Sequence, residues 1–364
     1  MKHDLEKIFN SFLADGSFFD AMPFGSGHIH ETFLIKTVEP DKDNYILQKI
    51  NSIVFRNIHE LQENVERVTV HLRKKISVIP GSDINRECLQ MIPAKNGKSW
   101  FTDGYGNFWR LFVFIKNHYS YDIVDSPDKA FEGGRAIGRF QALLTDLPGK
   151  PLHETIPSFH DVEKRIDSFM NTLKKDPFGR VKETVRDTDF ILQRTDEMRI
   201  IQKLGREGKI PVRITHNDTK FNNILFDENG KSLCIIDLDT VMSGYFHSDF
   251  GDDIRTGANI AAEDENDLSK IKMDIELFGA YAGGYLSETN NTLNAFEKEY
   301  LAFTPLLMTY EQGLRFLTDY VDGDQYYRIH HEHHNLQRAR AQFRLVESME
   351  EQYSDMQKII AKLV

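Results

Sequence analysis

A short polar segment between two apolar runs carries side chains that suit metal binding, proton transfer and phosphate contact. Residues 214–226 include Asp218, Lys220 and Asn223, and the apolar run that follows leads into Asp237. Transfer of a γ-phosphoryl group requires a carboxylate that orients and deprotonates the attacking hydroxyl, oxygen ligands for Mg²⁺, and positive charge on the phosphate. This segment offers all three, which indicates phosphoryl transfer.

Each of these side chains has a candidate role. Asp218 is the candidate catalytic base, and Lys220 is the candidate contact to the γ-phosphate. Asn223 and Asp237 offer the hard oxygen ligands that Mg²⁺ prefers. Asp239 either binds a second metal ion or lies outside the direct metal ligands. Because Asp218 and Asn223 share one loop and Asp237 follows the paired strand, the three converge if the strands close into a hairpin.

The residue types alone are weak evidence, and their combination is strong. Asparagine and aspartate are common at strand ends because their side chains bond to nearby backbone groups, so each residue singly indicates only a turn. The complete set, in this order and between two apolar strands, favours chemistry. His216 is open to two interpretations: a chemical role, or a buried imidazole that holds the loop backbone. We expect it to be a scaffold residue.

Short strands before residue 115 and mostly helices after residue 126 must position this segment. Apolar patterning predicts strands at 29–38 and 45–50, an amphipathic helix at 56–75, and after it two more strands, the last of which is 108–115. The run 108–115 is continuously apolar apart from Arg110, which predicts burial on both faces. Helical patterning is also present in the segments 1–15, 160–175, 185–205, 268–286, 296–321 and 335–363.

One β-rich island, 212–236, interrupts the helical part and contains a hairpin closed at 227–230. Ser126 and Pro127 are a typical N-cap and first residue of a helix. We therefore predict an α+β fold of two lobes. The N-terminal lobe spans 1–115 and is rich in strands, the C-terminal lobe spans 116–364 and is mainly helical, and the hinge lies at 112–118.

Composition restricts the partners of the protein. A chain of 364 residues exceeds the roughly 250–300 residues at which single hydrophobic cores stop growing, which agrees with two lobes. The formal net charge of −11 disfavours nucleic acid and anionic membranes as partners. No apolar run is long enough to span a membrane, the N-terminal segment resembles no targeting signal, and two cysteines do not form a disulfide framework. We therefore expect a cytoplasmic protein.

The motif His216-Asn217-Asp218, followed by Asn223 and then Ile236-Asp237, resembles the aminoglycoside phosphotransferase and choline kinase superfamily. Within that superfamily, the longer runs 216–225 and 236–242 resemble the N-acetylhexosamine 1-kinases most. The similarity extends over nearly the whole chain. It also includes the runs 25–29, 45–48, 249–252 and 313–317.

The resemblance implies a protein-kinase-like fold and transfer of the γ-phosphate of ATP, with Mg²⁺, to the 1-hydroxyl of N-acetylglucosamine or N-acetylgalactosamine. In that frame, Gly25 and Gly27 let a loop approach the phosphates, although this glycine pair alone indicates only a turn. Ile46 and Gln48 share the strand face toward the nucleotide. Gln48 is a departure, since a lysine usually stands there. Either it hydrogen-bonds the phosphates or another cation substitutes for the lysine.

The hinge and the last long helices supply the remaining candidates. The backbone of the hinge, with Phe114 and Ile115, would contact adenine, and a buried central strand explains these residues equally well. Arg315 and Asp319 lie four residues apart on a predicted helix, which is typical of a surface ion pair. The resemblance implies instead that the acceptor is a small-molecule sugar bound by Arg315. Further candidate sugar contacts are His28, Asp319 and Tyr320.

Three alternatives remain open from the sequence. The enzyme could act on another small alcohol, such as an aminoglycoside, choline, homoserine or a different sugar. Because Gln48 replaces the usual lysine, the chain could also be a catalytically silent nucleotide-binding protein. The histidine-rich segment 330–334 could bind a metal ion, but we expect a solvated helix start. The acceptor epimer and the oligomeric state do not follow from the sequence.

Overall fold

The computed structural model describes residues 3–25 and 29–364, so the candidates Gly27 and His28 lie outside the described residues. The strands of the described part are β1 (Phe18–Pro23), β2 (Glu31–Thr37), β3 (Tyr45–Ile50), β4 (Met91–Ile92), β5 (Phe101–Thr102), β6 (Phe108–Val113), β7 (Arg213–Thr215), β8 (Ile224–Phe226), β9 (Ser232–Ile235) and β10 (Met242–Gly244). The helices are α1 (Leu5–Phe9), α2 (Ile58–Ile76), α3 (Ile84–Glu87), α4 (Pro127–Leu144), α5 (Val162–Lys175), α6 (Val185–Met198), α7 (Ile200–Arg206), α8 (His247–Gly257), α9 (Ile275–Thr289), α10 (Ala295–Tyr300), α11 (Thr304–Val321), α12 (His334–Glu351) and α13 (Tyr353–Leu363).

The N-terminal part is an antiparallel sheet with strand order β1-β2-β3-β6-β4, and β5 also pairs with β6. Alternate residues of the central strands divide between its two faces. Leu47 and Leu111 pack with α1 on one face, and Ile46 and Phe112 pack toward α2 and α4 on the other. The sheet and the helical remainder confirm the predicted α+β class. Burial of 109–112 confirms that β6 is covered on both faces.

Helix α2 agrees with the apolar stripe that predicts it. Asn57 caps its N-terminus by accepting a hydrogen bond from the backbone N–H of Glu60. The buried stripe, which includes Val65, Val68 and Leu72, packs against Phe112 of the sheet and against α4. The helix therefore connects the two parts of the fold.

Helices α4 and α9 form the closest helix pair of the C-terminal part. A Cβ atom built on Gly134 would lie 2.1 Å from the carbonyl oxygen of Tyr281, and one built on Gly284 would lie 1.9 Å from that of Phe131. Gly138 is in similarly close contact with Tyr285. Only glycine permits backbone atoms to approach this closely. Ser126 caps α4 and Pro127 begins it, as predicted.

Four predicted helices are shorter than expected or divided in two. The N-terminal helix is only α1, because the chain after it runs beside residues 93–95. The N–H of Leu13 donates to the carbonyl of Pro93, and the N–H of Lys95 donates to the carbonyl of Ser11. The segment 296–321 divides into α10 and α11, because Pro305 has no backbone N–H to donate and is accommodated only in the first turn of a helix, here that of α11. Segments 185–205 and 335–363 also divide, after Met198 and after Glu351.

In the described part of the chain, no helix has the length and apolarity needed to cross a bilayer.

The α4–α9 contact gives a prediction for stability. We expect Gly134→Ala to destabilise the protein by about 1–3 kcal/mol or more, since the methyl group overlaps backbone atoms that cannot rotate away. Denaturant unfolding measures this change. Gly104→Ala is the control, because a Cβ there meets no atom within 4 Å. Equal free energies of unfolding for Gly134→Ala and the control would contradict the predicted clash.

Candidate functional site

The loop between β7 and β8 carries the predicted catalytic residues, and a buried carboxylate from α8 holds it in place. Asp249 accepts hydrogen bonds from the backbone N–H groups of His216, at 2.8 Å, and Asn217, at 2.7 Å. Its Oδ2 also accepts from the side chain of Gln141, at 2.6 Å. Thr219 donates its hydroxyl to the backbone carbonyl of Asp249. The loop is thus fixed on both sides of Asp218.

Asn217 gives this loop its sharp turn. Its φ of 65° lies in the left-handed region, which asparagine tolerates better than most residues. Its Oδ1 accepts hydrogen bonds from the hydroxyls of Thr215 and Ser248, and its Nδ2 donates to the carbonyls of Thr215 and Thr240. This buried amide is fully bonded, so the turn that presents Asp218 is rigid.

His216 is a scaffold residue, as predicted. Its Nδ1 accepts a hydrogen bond from the backbone N–H of Asp218, and its Nε2 therefore carries the proton that it donates to the carbonyl of Ile236, at 2.9 Å. The imidazole is fully buried and packs edge-on against Phe140. It joins the catalytic loop to the strand that leads to Asp237.

The structure brings Asp218 and Lys220 together at the surface of this loop. The Lys220 ammonium lies 3.0 Å from the Asp218 carboxylate, and the two side chains are 51% and 26% exposed. Attraction by Asp218 raises the pKa of Lys220, so the lysine stays charged. A carboxylate open to solvent beside a permanent cation can accept a hydroxyl proton and hold an anionic group at the same place.

Asn223 and Asp237 lie on adjoining backbone segments, as the metal-site prediction requires. The N–H of Ile236 donates to the carbonyl of Asn223, at 2.9 Å. Asn223 donates its Nδ2 to the carbonyl of Asp218, which orients Oδ1 away from that bond. Asp237 has a left-handed φ of 59° and an exposed side chain. Although the residue reaches solvent, the surrounding protein removes part of the hydration of its carboxylate; this loss, with repulsion by Asp239 and Asp218, raises the pKa of Asp237. These hard oxygen donors, with unneutralised negative charge, fit Mg²⁺.

Asp239 is buried and makes close contacts with Arg110 and His30. Arg110 reaches both of its oxygens, at 2.7 Å for Nη2 and Oδ2, and Nε2 of His30 lies 2.5 Å from Oδ2. Burial opposes ionisation, but Arg110 and the His30 hydrogen bond outweigh it and lower the pKa of Asp239. Ligand atoms of His30, Asp237 and Asp239 lie within 4.8 Å of one another. Since Asp239 is already paired, Asp237 is the better metal ligand.

The predicted nucleotide residues lie after the edge strand β1, on the central strand β3 and in the predicted hinge after β6. Gly25 has a φ of 80°, and a Cβ there would meet no atom within 4 Å. A glycine is therefore favoured at this position by its backbone conformation and not by lack of space. Phe114 packs edge-on against Phe24, with ring centroids 5.7 Å apart. Ile115 packs against Leu225 of the hairpin. Ile46 lies half-buried on the sheet face toward α2 and α4.

Gln48 is bonded within the sheet. Its Oε1 accepts from Nε of Arg110, at 2.9 Å, and its Nε2 donates to the hydroxyl of Thr32, at 3.2 Å. Both polar ends of the amide are therefore engaged by protein groups. Of the two sequence-based alternatives for Gln48, this arrangement supports a substitute cation, and Arg110 is on the adjacent strand.

Arg315 lies near the catalytic loop through a network that the sequence did not reveal. His160 contacts Glu311, at 3.1 Å, and the carbonyl of Asn217, at 2.9 Å. Burial lowers the pKa of His160, but Glu311 outweighs this and raises it. Arg315 lies one turn after Glu311 in α11, donates to the side chain of Gln312, at 3.1 Å, and packs over the ring of Phe159. This network places charged and aromatic groups directly behind the residue that precedes Asp218.

Asp319 and Tyr320 make other contacts, and the surface ion pair of Asp319 with Arg315 is wrong. Asp319 is buried and accepts the N–H groups of Tyr326 and Tyr327, because the chain after α11 folds back over it. Tyr320 is buried and donates its hydroxyl to Glu183, at 2.6 Å. Neither side chain contacts Asp218: Asp319 holds the turn after α11, and Tyr320 connects α11 to Glu183, which precedes α6.

The histidine-rich segment is mainly a solvated helix start, as expected. His330, His331 and His333 are exposed. His334, the first residue of α12, is buried and lies 3.2 Å from Asp264.

The functional candidates that the sequence missed are Asp249, His160, Glu311 and Arg110. Arg110 had a usable signal, since an arginine in a strand buried on both faces requires a buried partner. Asp249 lies in the run 249–252, which contributes to the resemblance but received no role there, and His160 and Glu311 lie in ordinary loop and helical sequence. Their partners are distant in the chain, so no local pattern identifies them.

Asp253, in α8 beside this site, gives a pH-dependent prediction. It is fully buried, and neither carboxylate oxygen has a hydrogen-bond partner among the described residues. Burial and repulsion by Asp252 and Asp249 raise its pKa well above the usual value. The folded state therefore holds a proton that the unfolded state releases, and stability falls as pH rises above the ordinary aspartate range.

We expect Asp253→Asn to remove this loss, because an amide does not ionise. Thermal unfolding at pH 5, 6, 7 and 8 would then show the melting temperature of the variant rising relative to that of the wild type as pH increases. Asp41→Asn, which changes an exposed carboxyl, is the control. A difference between Asp253→Asn and wild type that is constant over this range would refute the assignment.

Comparisons with known proteins agree with this geometry. A sequence model described as the phosphotransferase enzyme family matches residues 20–265. An aminoglycoside phosphotransferase structure from Alicyclobacillus acidocaldarius subsp. acidocaldarius has a TM-score of 0.63 at 10% identity, covering 100% of this chain and 98% of that chain. A microcompartment-associated aminopropanol kinase gives 0.60 at 15% identity, with coverage of 97% and 98%. A spectinomycin phosphotransferase in complex with ADP and spectinomycin gives 0.56 at 13% identity, with coverage of 96% and 97%.

At these low identities the structural matches show a shared fold. The protein-kinase-like fold implied by the sequence resemblance is thereby confirmed.

Proposed function

The chain belongs to the phosphotransferase enzyme family, and we propose that it transfers the γ-phosphate of ATP to the 1-hydroxyl of an N-acetylhexosamine. The coarser part of this statement, a small-molecule phosphotransferase of the aminoglycoside phosphotransferase and choline kinase type, follows from the family. The observation that carries the reaction is the convergence of Asp218, Lys220, Asn223 and Asp237 on one hairpin. The choice of sugar rests on the sequence resemblance.

Each of these four residues has a role in the proposed reaction. Asp218 accepts the proton of the attacking hydroxyl and orients that hydroxyl toward the phosphate. Lys220, held charged at 3.0 Å from Asp218, contacts the transferred phosphoryl group. Asn223 and Asp237 would hold Mg²⁺. The ion, when bound, neutralises the charge of the phosphates.

The nucleotide would lie between the N-terminal lobe, 1–115, and the C-terminal lobe, 116–364. Phe24 and Phe114 form an aromatic edge at this place, and Ile115 with Leu225 forms an apolar wall. The spectinomycin phosphotransferase of the same fold holds ADP, which supports nucleotide binding here.

The charges near the acceptor side favour a neutral, hydroxyl-rich molecule. Glu311 is paired with His160, at 3.1 Å, and Asp252 with Arg255, at 2.8 Å. An acceptor with several ammonium groups would need carboxylates without cations of their own. A sugar needs hydrogen-bond donors and acceptors instead. Arg315 offers donors, and Oε2 of Glu311 is buried with no hydrogen-bond partner among the described residues.

The proposed function is tested by following ATP consumption with Mg²⁺ over N-acetylglucosamine, N-acetylgalactosamine, other free sugars, choline, homoserine and aminoglycosides. We expect turnover with the N-acetylhexosamines and a product phosphorylated at carbon 1, identified by ³¹P and ¹³C NMR. Turnover with aminoglycosides or choline alone would show that the acceptor class is wrong. Absence of turnover over the whole panel would favour a silent nucleotide-binding protein.

The role of Asp218 is tested by Asp218→Asn, which keeps the shape of the side chain and removes its basicity. We expect kcat to fall by about 10²- to 10⁴-fold, the range for loss of a positioned base. Steady-state kinetics on the best acceptor measures this. Asp227→Asn, in the turn of the same hairpin, is the control, and it should retain most of its activity. A near-normal kcat in Asp218→Asn would remove Asp218 from this role.

A further inference from the structure

The upper sheet of a protein-kinase-like enzyme usually holds a lysine on its third strand, paired with a glutamate on the following helix. Here the third strand has Gln48 at that place. In the register of the sheet, Gln48 lies directly opposite Arg110 of β6. The amide of Gln48 accepts a hydrogen bond from Nε of Arg110 and is itself fixed by Thr32. The cation of this sheet face is thus on a different strand.

Arg110 does not pair with helix α2. Its guanidinium crosses from the sheet to the loop after β9 and contacts both carboxylate oxygens of Asp239. Arg110 is 2% exposed, as is Asp239, so water does not weaken the pair. His30 supplies a second contact to Asp239 from the N-terminal part, and the hydroxyl of Thr155 donates to its carbonyl, at 2.7 Å.

We propose that Arg110 is a positioning residue for the metal site, in place of the usual lysine and glutamate pair. It fixes Asp239 to the sheet, and Asp239 in turn fixes the short loop on which Asp237 stands two residues earlier. The proposal rests on the proposed function, since it assigns Asp237 to Mg²⁺ that accompanies the nucleotide.

Two physical arguments support this role. First, Asp237 has a left-handed backbone, a conformation that a non-glycine residue keeps only when its surroundings determine it. The contacts of Asp239 are the strong constraint next to it. Second, Arg110 neutralises Asp239, so the loop offers the metal a single free carboxylate. Without that cation, two nearby carboxylates would repel each other and compete for the ion.

The geometry also explains why the cation is an arginine. A guanidinium can bond Gln48 through Nε and both oxygens of Asp239 through its terminal nitrogens at the same time. A lysine ammonium has no planar fork and cannot keep all three contacts in this arrangement. We therefore expect even Arg110→Lys to disturb the metal site.

The test measures binding of ADP by calorimetry in the full-length chain, once with Mg²⁺ and once with a chelator. We expect Arg110→Lys to weaken Mg²⁺-dependent ADP binding by about tenfold or more, as is typical when a group behind a metal ligand is lost, and to change metal-free binding much less. Arg194→Lys is the matched control, because Arg194 makes a bidentate pair with Glu350 far from the site. It should bind as wild type does.

Equal losses with and without Mg²⁺ would overturn the proposal, since Arg110 would then contact the nucleotide or support the fold. Unchanged binding would overturn it as well. If Arg110→Lys does not fold, the double variant Arg110→Met with Asp239→Asn removes both buried charges together, which is usually better tolerated than removing one. Its Mg²⁺-dependent binding should also be weakened, and wild-type binding would refute the proposal.

No acceptor is present in this experiment, so its outcome is separate from the choice of sugar. Normal Mg²⁺-dependent ADP binding by wild type, without turnover of N-acetylhexosamines, would reject the proposed acceptor and leave the role of Arg110 standing. Wild type without any Mg²⁺-dependent ADP binding would reject both.

Discussion

The carboxylate of Asp249 is the contact on which the loop between β7 and β8, with the candidate base Asp218, depends. It collects two consecutive backbone N–H groups and a buried glutamine amide, so a loop of strained backbone is held from helix α8. Burial raises the pKa of Asp249, and these three donors act in the opposite direction by favouring its charged form. Because Asp249 bonds their backbone N–H groups, the side chains of His216 and Asn217 are free to bond the backbone carbonyls of Ile236 and Thr240.

A second carboxylate, that of Asp239, fixes the loop after β9, which carries Asp237, as Asp249 fixes the loop between β7 and β8. Both are buried, and both act through backbone or neighbouring residues, but their partners differ. Asp249 bonds neutral donors of the C-terminal part, whereas Asp239 bonds Arg110 and His30 of the N-terminal part. The candidate base Asp218 and the candidate metal ligand Asp237 are accessible, whereas Asp239 and Asp249 are buried and bonded to protein groups.

Much of the fold and of the candidate site could be predicted from the sequence, because the residues that determine those features lie close together in the chain. The order of polar residues around Asp218, the cap at Ser126 and the pattern of β3 each lie within one short segment. The Gln48 departure was also visible, but its meaning was not, since Arg110 meets Asp239 across 129 positions. The predicted ion pair of Asp319 with Arg315 was wrong for the same reason. The two residues are four apart on one helix, but the backbone that follows α11 folds back and donates two N–H groups to the Asp319 carboxylate.

The glycine contact between α4 and α9 has a consequence for how this sequence can vary. Side chains in an ordinary core can exchange volume with their neighbours, so a larger residue at one position is offset by a smaller one nearby. At Gly134 and Gly284 the opposing atoms are backbone carbonyls, which have no smaller version. Substitution along this line cannot be compensated locally. Engineered diversity in the helical part therefore belongs on the outer faces of these two helices, away from their shared seam.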